Sequence, residues 1–190
     1  MAELDPISAA FTAVETRLRT FFRKPWEFAI VPDPMSLDEF KAVTRTTPLL
    51  ALGWRQFNPS KSVGRRFHGE LGLRLTIVVK HPLDARKRFK GDAAGPGLFP
   101  AIAGAVALIN GFTDPAVGTF SVTAIAQAYA DGYGDHNIAI ATIDIGCLVA
   151  IGDVTGDLAA APDFLKLLSA FTPWPDGQDP DAPIDVRPAP

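Results

Sequence analysis

The sequence predicts an α+β domain built on a single antiparallel or mixed β-sheet, with helices packed on one face. Three observations lead there. Residues 65–81 alternate: Leu71, Leu73, Leu75, Ile77 and Val79 fall on one side, and Glu70, Gly72, Arg74, Thr76 and Lys80 on the other, with Val78 breaking the polar row. Period two means one buried face and one wet or interface face. Helical segments fall between pairs of strand candidates rather than between every strand, which argues against a parallel βαβ sheet. The chain of 190 residues fits one domain and is long enough to bury a core without disulfide staples.

The elements follow in order. Asp5-Pro6 starts a helix, because an Asp side chain accepts from the first free N–H groups and Pro at the first helical position loses no hydrogen bond. Ile7, Phe11, Val14, Leu18 and Phe21 or Phe22 then form one helical face. Arg17, Arg19, Arg23 and Lys24 lie toward the C-terminal end, where positive charge suits the dipole, and Pro25 ends the helix. Trp26 to Val31 is a short strand. Ser36 caps a short helix, Leu37 to Val43, with Glu39 near its start. Pro48 to Phe57 is a strand, Asn58 to Gly64 a loop, and Arg65 to His81 the long alternating strand. A basic connector, Asp84 to Asp92, leads to a core helix over Gly97 to Asn110, with Phe99, Ile102, Val106 and Ile109 or Leu108 on its apolar face. Gly118 to Ala130 and Asn137 to Ile151 make a hairpin around Asp131–Asp135, residues that tolerate positive φ. On the first of these strands Phe120, Val122, Ala124, Ala126 and Ala128 share a face. On the second, Ile143, Ile145, Cys147, Val149 and Ile151 do. Pro162 to Phe171 is a last short helix. The domain is expected to span 1–171, with 172–190, rich in Pro and Asp, as an extended or disordered tail.

Composition narrows the function classes. Net charge is −3, without the basic footprint of a dedicated nucleic-acid binder. The one cysteine, Cys147, sits in an apolar run and reads as a buried, inert thiol, for which a reducing compartment is the simplest home. The acidic start MAELDP lacks the pattern of a signal peptide, and the apolar stretch Leu98 to Ile109 is too short to span a bilayer. No phosphate-cradling P-loop, no GxSxG nucleophile elbow and no HExxH zinc motif occurs, and the DGYGD run sits between strands instead of opening a helix. No catalytic residue, cofactor or metal is therefore assigned.

Three groups of polar residues bear on chemistry. His68 and Glu70 lie two apart on one strand face and could share a metal only if His81 or His136 joined them; a solvated loop-to-strand junction is the plainer reading. Asp144 lies within an apolar run, where a carboxylate needs a partner, and Arg74 on another strand fits that part. A structural or subunit-interface pair is preferred to a catalytic acid. Lys61, Arg65 and Arg66 form one basic cluster and Arg86, Lys87, Arg88 and Lys90 another, both in loops. They read as solvated charge or as docking loops for an acidic partner or a phosphate backbone, while the acidic chain without interleaved aromatics argues against sequence-specific nucleic-acid binding.

The arrangement as a whole resembles a family of small phage tail proteins, the Mu-like tail-completion or tail-terminator group. The resemblance is carried by the helix PISAAFTAVETRLRTFF, the strand PLLALGW, the segment RRFHGELGLRLTIVVKHPLDA, the core helix GPGLFPAIAGAVALING and the strand pair FSVTAIAQAYA and NIAIATIDIGCLVAI, over residues 5–155. It implies a tail-terminator-like fold and a non-enzymatic structural role in a phage or prophage tail. The protein would form a ring of copies of itself, usually six, at the head-proximal end of the tail tube. Its other partners would be the tube protein and the head-side connector; it would be made in the host cytoplasm, end in the virion tail, and need no membrane. A ring subunit needs two unlike surfaces. Ile125, Ile138, Ile140 and Leu148, apolar residues read onto the polar sheet face, with Arg74 and Asp144, are the interface expected on this reading. The basic loops at Lys61, Arg65, Arg66, Arg86, Lys87 and Arg88 are the expected docking elements. The alternatives are a small-ligand-binding domain or an enzyme of an unrecognised type, with a cleft by Asp131–His136 and Asp144, or a cytoplasmic adaptor binding a partner through its sheet edge.

Overall fold

A computed structural model describes residues 5–36, 38–39, 41, 45–60, 67–81, 85–93, 95–128 and 137–151. The architecture is α+β and dominated by its sheet. The first helix, α1 (Pro6–Arg19), starts as its sequence dictates: Asp5 accepts from the Ser8 N–H at 2.7 Å, and Pro6 occupies the first turn. Helices α2 (Ala85–Lys90) and α3 (Leu98–Ile109) precede the last strands. Six strands, β1 (Glu27–Ile30), β2 (Leu49–Pro59), β3 (Phe67–Lys80), β4 (Thr113–Asp114), β5 (Gly118–Ala128) and β6 (Ile138–Ile151), form one mixed sheet in the order β1-β2-β3-β6-β5-β4. β1 runs parallel to β2, and every other neighbouring pair is antiparallel.

The alternation along β3 sets the core. Leu71, Leu73, Leu75, Ile77 and Val79 are all buried beneath the helices, with Leu50 and Leu52 of β2 and Ile143, Ile145, Cys147 and Val149 of β6. Each such side chain contributes about 1.5–3 kcal/mol when fully buried. From the helices come Ala10, Ala13, Val14 and Leu18 of α1 and Leu98, Ala101, Ala105 and Ile109 of α3. The small residues let both helices lie close to the sheet.

The opposite face of the sheet is not uniformly polar. Val78, the residue that broke the polar row, is buried with Val31, Leu49, Ala51 and Ile140, and Ala29, Met35, Ala128 and Ile138 pack against them. Val31 and Met35 come from the connection that must cross over to join two parallel strands, β1 and β2, and it crosses on this face. That connection carries the expected cap. The Glu39 carboxylate accepts from the Ser36 N–H at 2.9 Å and from its hydroxyl at 2.6 Å, and the Ser36 hydroxyl accepts from the Glu39 N–H at 3.3 Å.

Three expectations need correction. The apolar face of α3 is turned: the buried stripe is Leu98, Ala101, Ala105 and Ile109, while Phe99 is 54% exposed and Ile102 and Val106 are only partly covered. A helix apolar all round does not reveal which side the sheet takes. On β5 the expected face holds only as far as Val122. A bulge places Thr123 between Val122, opposite Ile145, and Ala124, opposite Asp144. Ala124, Ala126 and Ala128 therefore lie on the outer face and Ile125, opposite Ile143, on the helix face. The basic connector is not a loop over Ala85–Lys90 but the helix α2. The two-residue strand β4 was not foreseen. The hairpin turn at Asp131–Asp135, the helix at Pro162–Phe171 and residues 172–190 lie outside the described residues.

Candidate functional site

On the outer face, cross-strand neighbours Arg74 (β3) and Asp144 (β6) join through two hydrogen bonds: Nε to Oδ1 at 2.8 Å and Nη2 to Oδ2 at 3.3 Å. The partner expected for Asp144 is thus one of the two it has. Two further charges complete the cluster. Arg55, the extra residue of a bulge in β2, donates from Nη1 to Asp144 Oδ2, and Asp33 accepts from Arg74 Nη1 at 3.4 Å. The hydrogen bond to Asp144 is the main cause that raises the Arg74 pKa above its ordinary value, against the opposing effect of burial. Two guanidinium groups and two carboxylates neutralise one another here. The arrangement locks strands β2, β3 and β6 and the β1–β2 connection together, and both carboxylates of the cluster, Asp33 and Asp144, are paired in it. Thr123, from the β5 bulge, adds a hydrogen bond to the Asp144 carbonyl at 3.2 Å.

Of the six residues expected to form an interface, Arg74 and Asp144 pair and Ile138 packs with Ile140, while Ile125 and Leu148 lie apart from them. Ile140 is 5% exposed within the outer cluster, and Ile138 packs against it. Ile125 is 49% exposed but on the helix face, and Leu148, 74% exposed, stands on the outer face opposite Glu70.

The expected docking loops also differ. Lys61, Arg65 and Arg66 lie outside the described residues. In α2, Arg88 turns inward: Nη2 donates to Asn137 Oδ1 at 3.0 Å and Nη1 to the Ile138 carbonyl at 3.5 Å. Lys87 Nζ lies 3.3 Å from Asp92 Oδ2, and Arg86 is exposed at the start of the helix. Phe89 packs on Phe99, ring centroids 5.2 Å apart. Amphipathicity within ARKRFK, and not loop mobility, sets these positions.

His68 and His81 stand near opposite ends of β3, roughly 40 Å apart at the rise of an extended strand. They cannot share an ion. His81 is buried, and its Nε2 lies 3.0 Å from Asp92 Oδ1. Among the described residues, no group of three or more His, Cys, Asp or Glu side chains is placed to hold a metal. Among the same residues, no helix is long and apolar enough to cross a membrane.

An open apolar groove lies beside β5. Phe99, Ile102, Ala103, Val106 and Ala107 of α3 and Ile125 of β5 line it. It exists because α3 is apolar on a side that neither the sheet nor α1 covers. Next to it runs the edge of β5. Residues Gly111–Asp114 cover that edge at its beginning: Gly111 and Phe112 bond with Phe120, Thr113 and Asp114 pair with Thr119 and Gly118, and Asn110 Oδ1 accepts from the Val122 N–H at 3.1 Å. From Thr123 to Ala128 no described strand lies on that side. The whole strand, GTFSVTAIAQA, carries neither a charge nor a proline. Natural edges are usually guarded by such residues, and an unguarded edge is a template for pairing. Period-two patterning could not flag this surface, because the bulge at Thr123 reverses which face Ile125 takes.

A second, more polar groove follows α1, between Thr12, Thr16 and Thr20 and residues Phe112 and Asp114. Its one cation, Arg17, is already engaged, donating to the Leu108 carbonyl at 3.2 Å and lying 5.2 Å from the Phe112 ring centre.

Fold and surface together define a mixed-sheet α+β protein with an open apolar groove beside one edge of its sheet. No protein-family model matches the chain, and no curated protein matches it.

Proposed function

We propose that this chain is a structural protein of a phage or prophage tail, a tail terminator that works by assembling copies of itself into a ring at the head-proximal end of the tail tube. One observation carries the self-assembly reading: the two edges of the sheet expose unlike apolar groups. At one edge Ile30 of β1 is 67% exposed; at the other lie Phe99, Ile125 and the stretch of β5 from Thr123 to Ala128, beside which no described strand lies. Two unlike patches at opposite edges are what head-to-tail association into a closed ring requires. The tail assignment itself is supported by the arrangement of helices and strands quoted above, and its partners on that reading are the tube protein and the connector.

The test is the mass of the purified protein in solution over a concentration series, alone and with tube protein. A closed oligomer, formed alone or on addition of tube protein, supports the reading. A strict monomer under every condition overturns it.

A further inference from the structure

We infer that neighbouring copies join edge to edge: β1 of one copy pairs antiparallel with Thr123–Ala128 of the next and seats its Ile30 in the groove between α3 and Ile125. The inference rests on the self-assembly reading and names the surfaces that carry it.

Direction, length and side-chain placement all fit. β1 runs with β2 and β6, and β5 runs against them, so β5 is antiparallel to β1. Copies related by rotation about an axis along the strands therefore bring a β1 edge to a β5 edge in antiparallel sense. β1 has four residues, short enough to lie within the six from Thr123 to Ala128, beyond the part already covered by Gly111–Asp114. A sheet continued from one copy into the next keeps its two faces. Ile30 lies opposite Leu52, and Ile125 opposite Ile143, both on the helix face. Ile30 of the incoming strand therefore enters the layer where Phe99, Val106 and Ile125 stand open. Main-chain hydrogen bonds give such strand addition its affinity, and the side-chain pocket gives it its register. The absence of charge along β5 removes the repulsion that keeps ordinary edges apart. The contact is heterologous, so an open assembly keeps one free edge at each end until a ring closes.

The test uses two single-surface variants of the full chain, Ile30→Lys and Ile125→Lys, with Gln127→Lys as a second β5 variant. All three positions are exposed, and circular dichroism with a melting curve confirms that each folds. Each variant alone is expected to lose the higher oligomer, its association weakened by roughly 100-fold, the scale of a central interface residue. Mixing Ile30→Lys with Ile125→Lys leaves one intact β1 edge and one intact β5 groove, so a one-to-one heterodimer is expected in native mass spectrometry. If wild-type protein assembles and both variants still do, the inference fails while self-assembly stands. If only the β5 variants lose assembly and Ile30→Lys does not, the contact is a two-fold β5–β5 pairing and the inference is again overturned. If wild-type protein never assembles, with or without tube protein, the inference and the functional reading fall together.

Discussion

Arg74 and Asp144 face each other across β3 and β6 and share two hydrogen bonds, while Arg55 reaches the same carboxylate from a third strand. The arrangement is unequal. Removing Arg74 leaves Asp144 with Arg55; removing Asp144 leaves two adjacent guanidinium groups with only Asp33 nearby. Arg74→Ala is expected to cost roughly 1–2 kcal/mol and Asp144→Ala roughly 2–4 kcal/mol, since the arginines then repel in a partly desolvated site. The urea midpoints of the two variants and of the double variant decide it. In the double variant the costs should fall short of their sum, because the groups share one network.

Ile140 and Leu148 read alike in sequence, as apolar residues on the mostly polar face of β6, yet one is buried under the β1–β2 connection and the other stands in solvent. Ile140→Glu is expected to cost at least about 3 kcal/mol by burying an unpaired carboxylate. Leu148→Gln, opposite Glu70 in solvent, should stay within about 0.5 kcal/mol. Melting temperatures of the two variants check this. An Ile140→Glu protein as stable as the wild type would mean that the connection does not cover this face.

The contrast marks what the sequence could and could not convey. Strand alternation identified the buried rows of β3 and β6, because period two is a local property of the chain and every residue on those rows obeys it. The Asp144–Arg74 pair was legible for a related reason: a carboxylate amid Ile and Cys needs a cation on the same face. Cover by a distant segment was not legible. Nothing around Ile140 announces that Val31 and Met35 pass over it. The bulges at Thr123 and Arg55 were equally hidden, since an inserted residue reverses parity without a mark in GTFSVTAIAQA or LLALGWRQFNP. The candidate groove depends on one of these bulges, which is why it had to be found in three dimensions.

Cys147 sits in the helix-side core, and burial, with the nearby Asp114 charge as a lesser cause, pushes its thiol up to about 11 from 9.0. Between those values the unfolded chain has released a proton that the folded chain keeps. This contribution to stability is therefore full below pH 9 and is lost as pH rises toward 11. The expected outcome is a decline in unfolding free energy over that interval which Cys147→Val reduces. Thiol-reagent labelling of the folded wild type should stay slow at pH 8 and rise sharply on addition of urea.

The approach of α2 to α3 rests on Gly97. It caps α3 with extended backbone, and a Cβ there would strike main-chain atoms of Lys90 and Gly91, the latter at a φ of 78°. The obstacles are backbone, not the ends of flexible side chains, so the helices would have to separate. Gly97→Ala is expected to cost roughly 2–3 kcal/mol. Gly146→Ala makes the matched control, because its Cβ would meet chiefly the Glu70 carboxylate, which can swing away. Separation of α2 from α3 would also loosen the Phe89–Phe99 contact at the end of the apolar groove. In the Gly97→Ala variant, self-association should therefore weaken at temperatures well below its melting point, whereas Gly146→Ala should leave assembly unchanged. Equal stability and equal assembly in both variants would mean that the α2–α3 junction does not hold the groove.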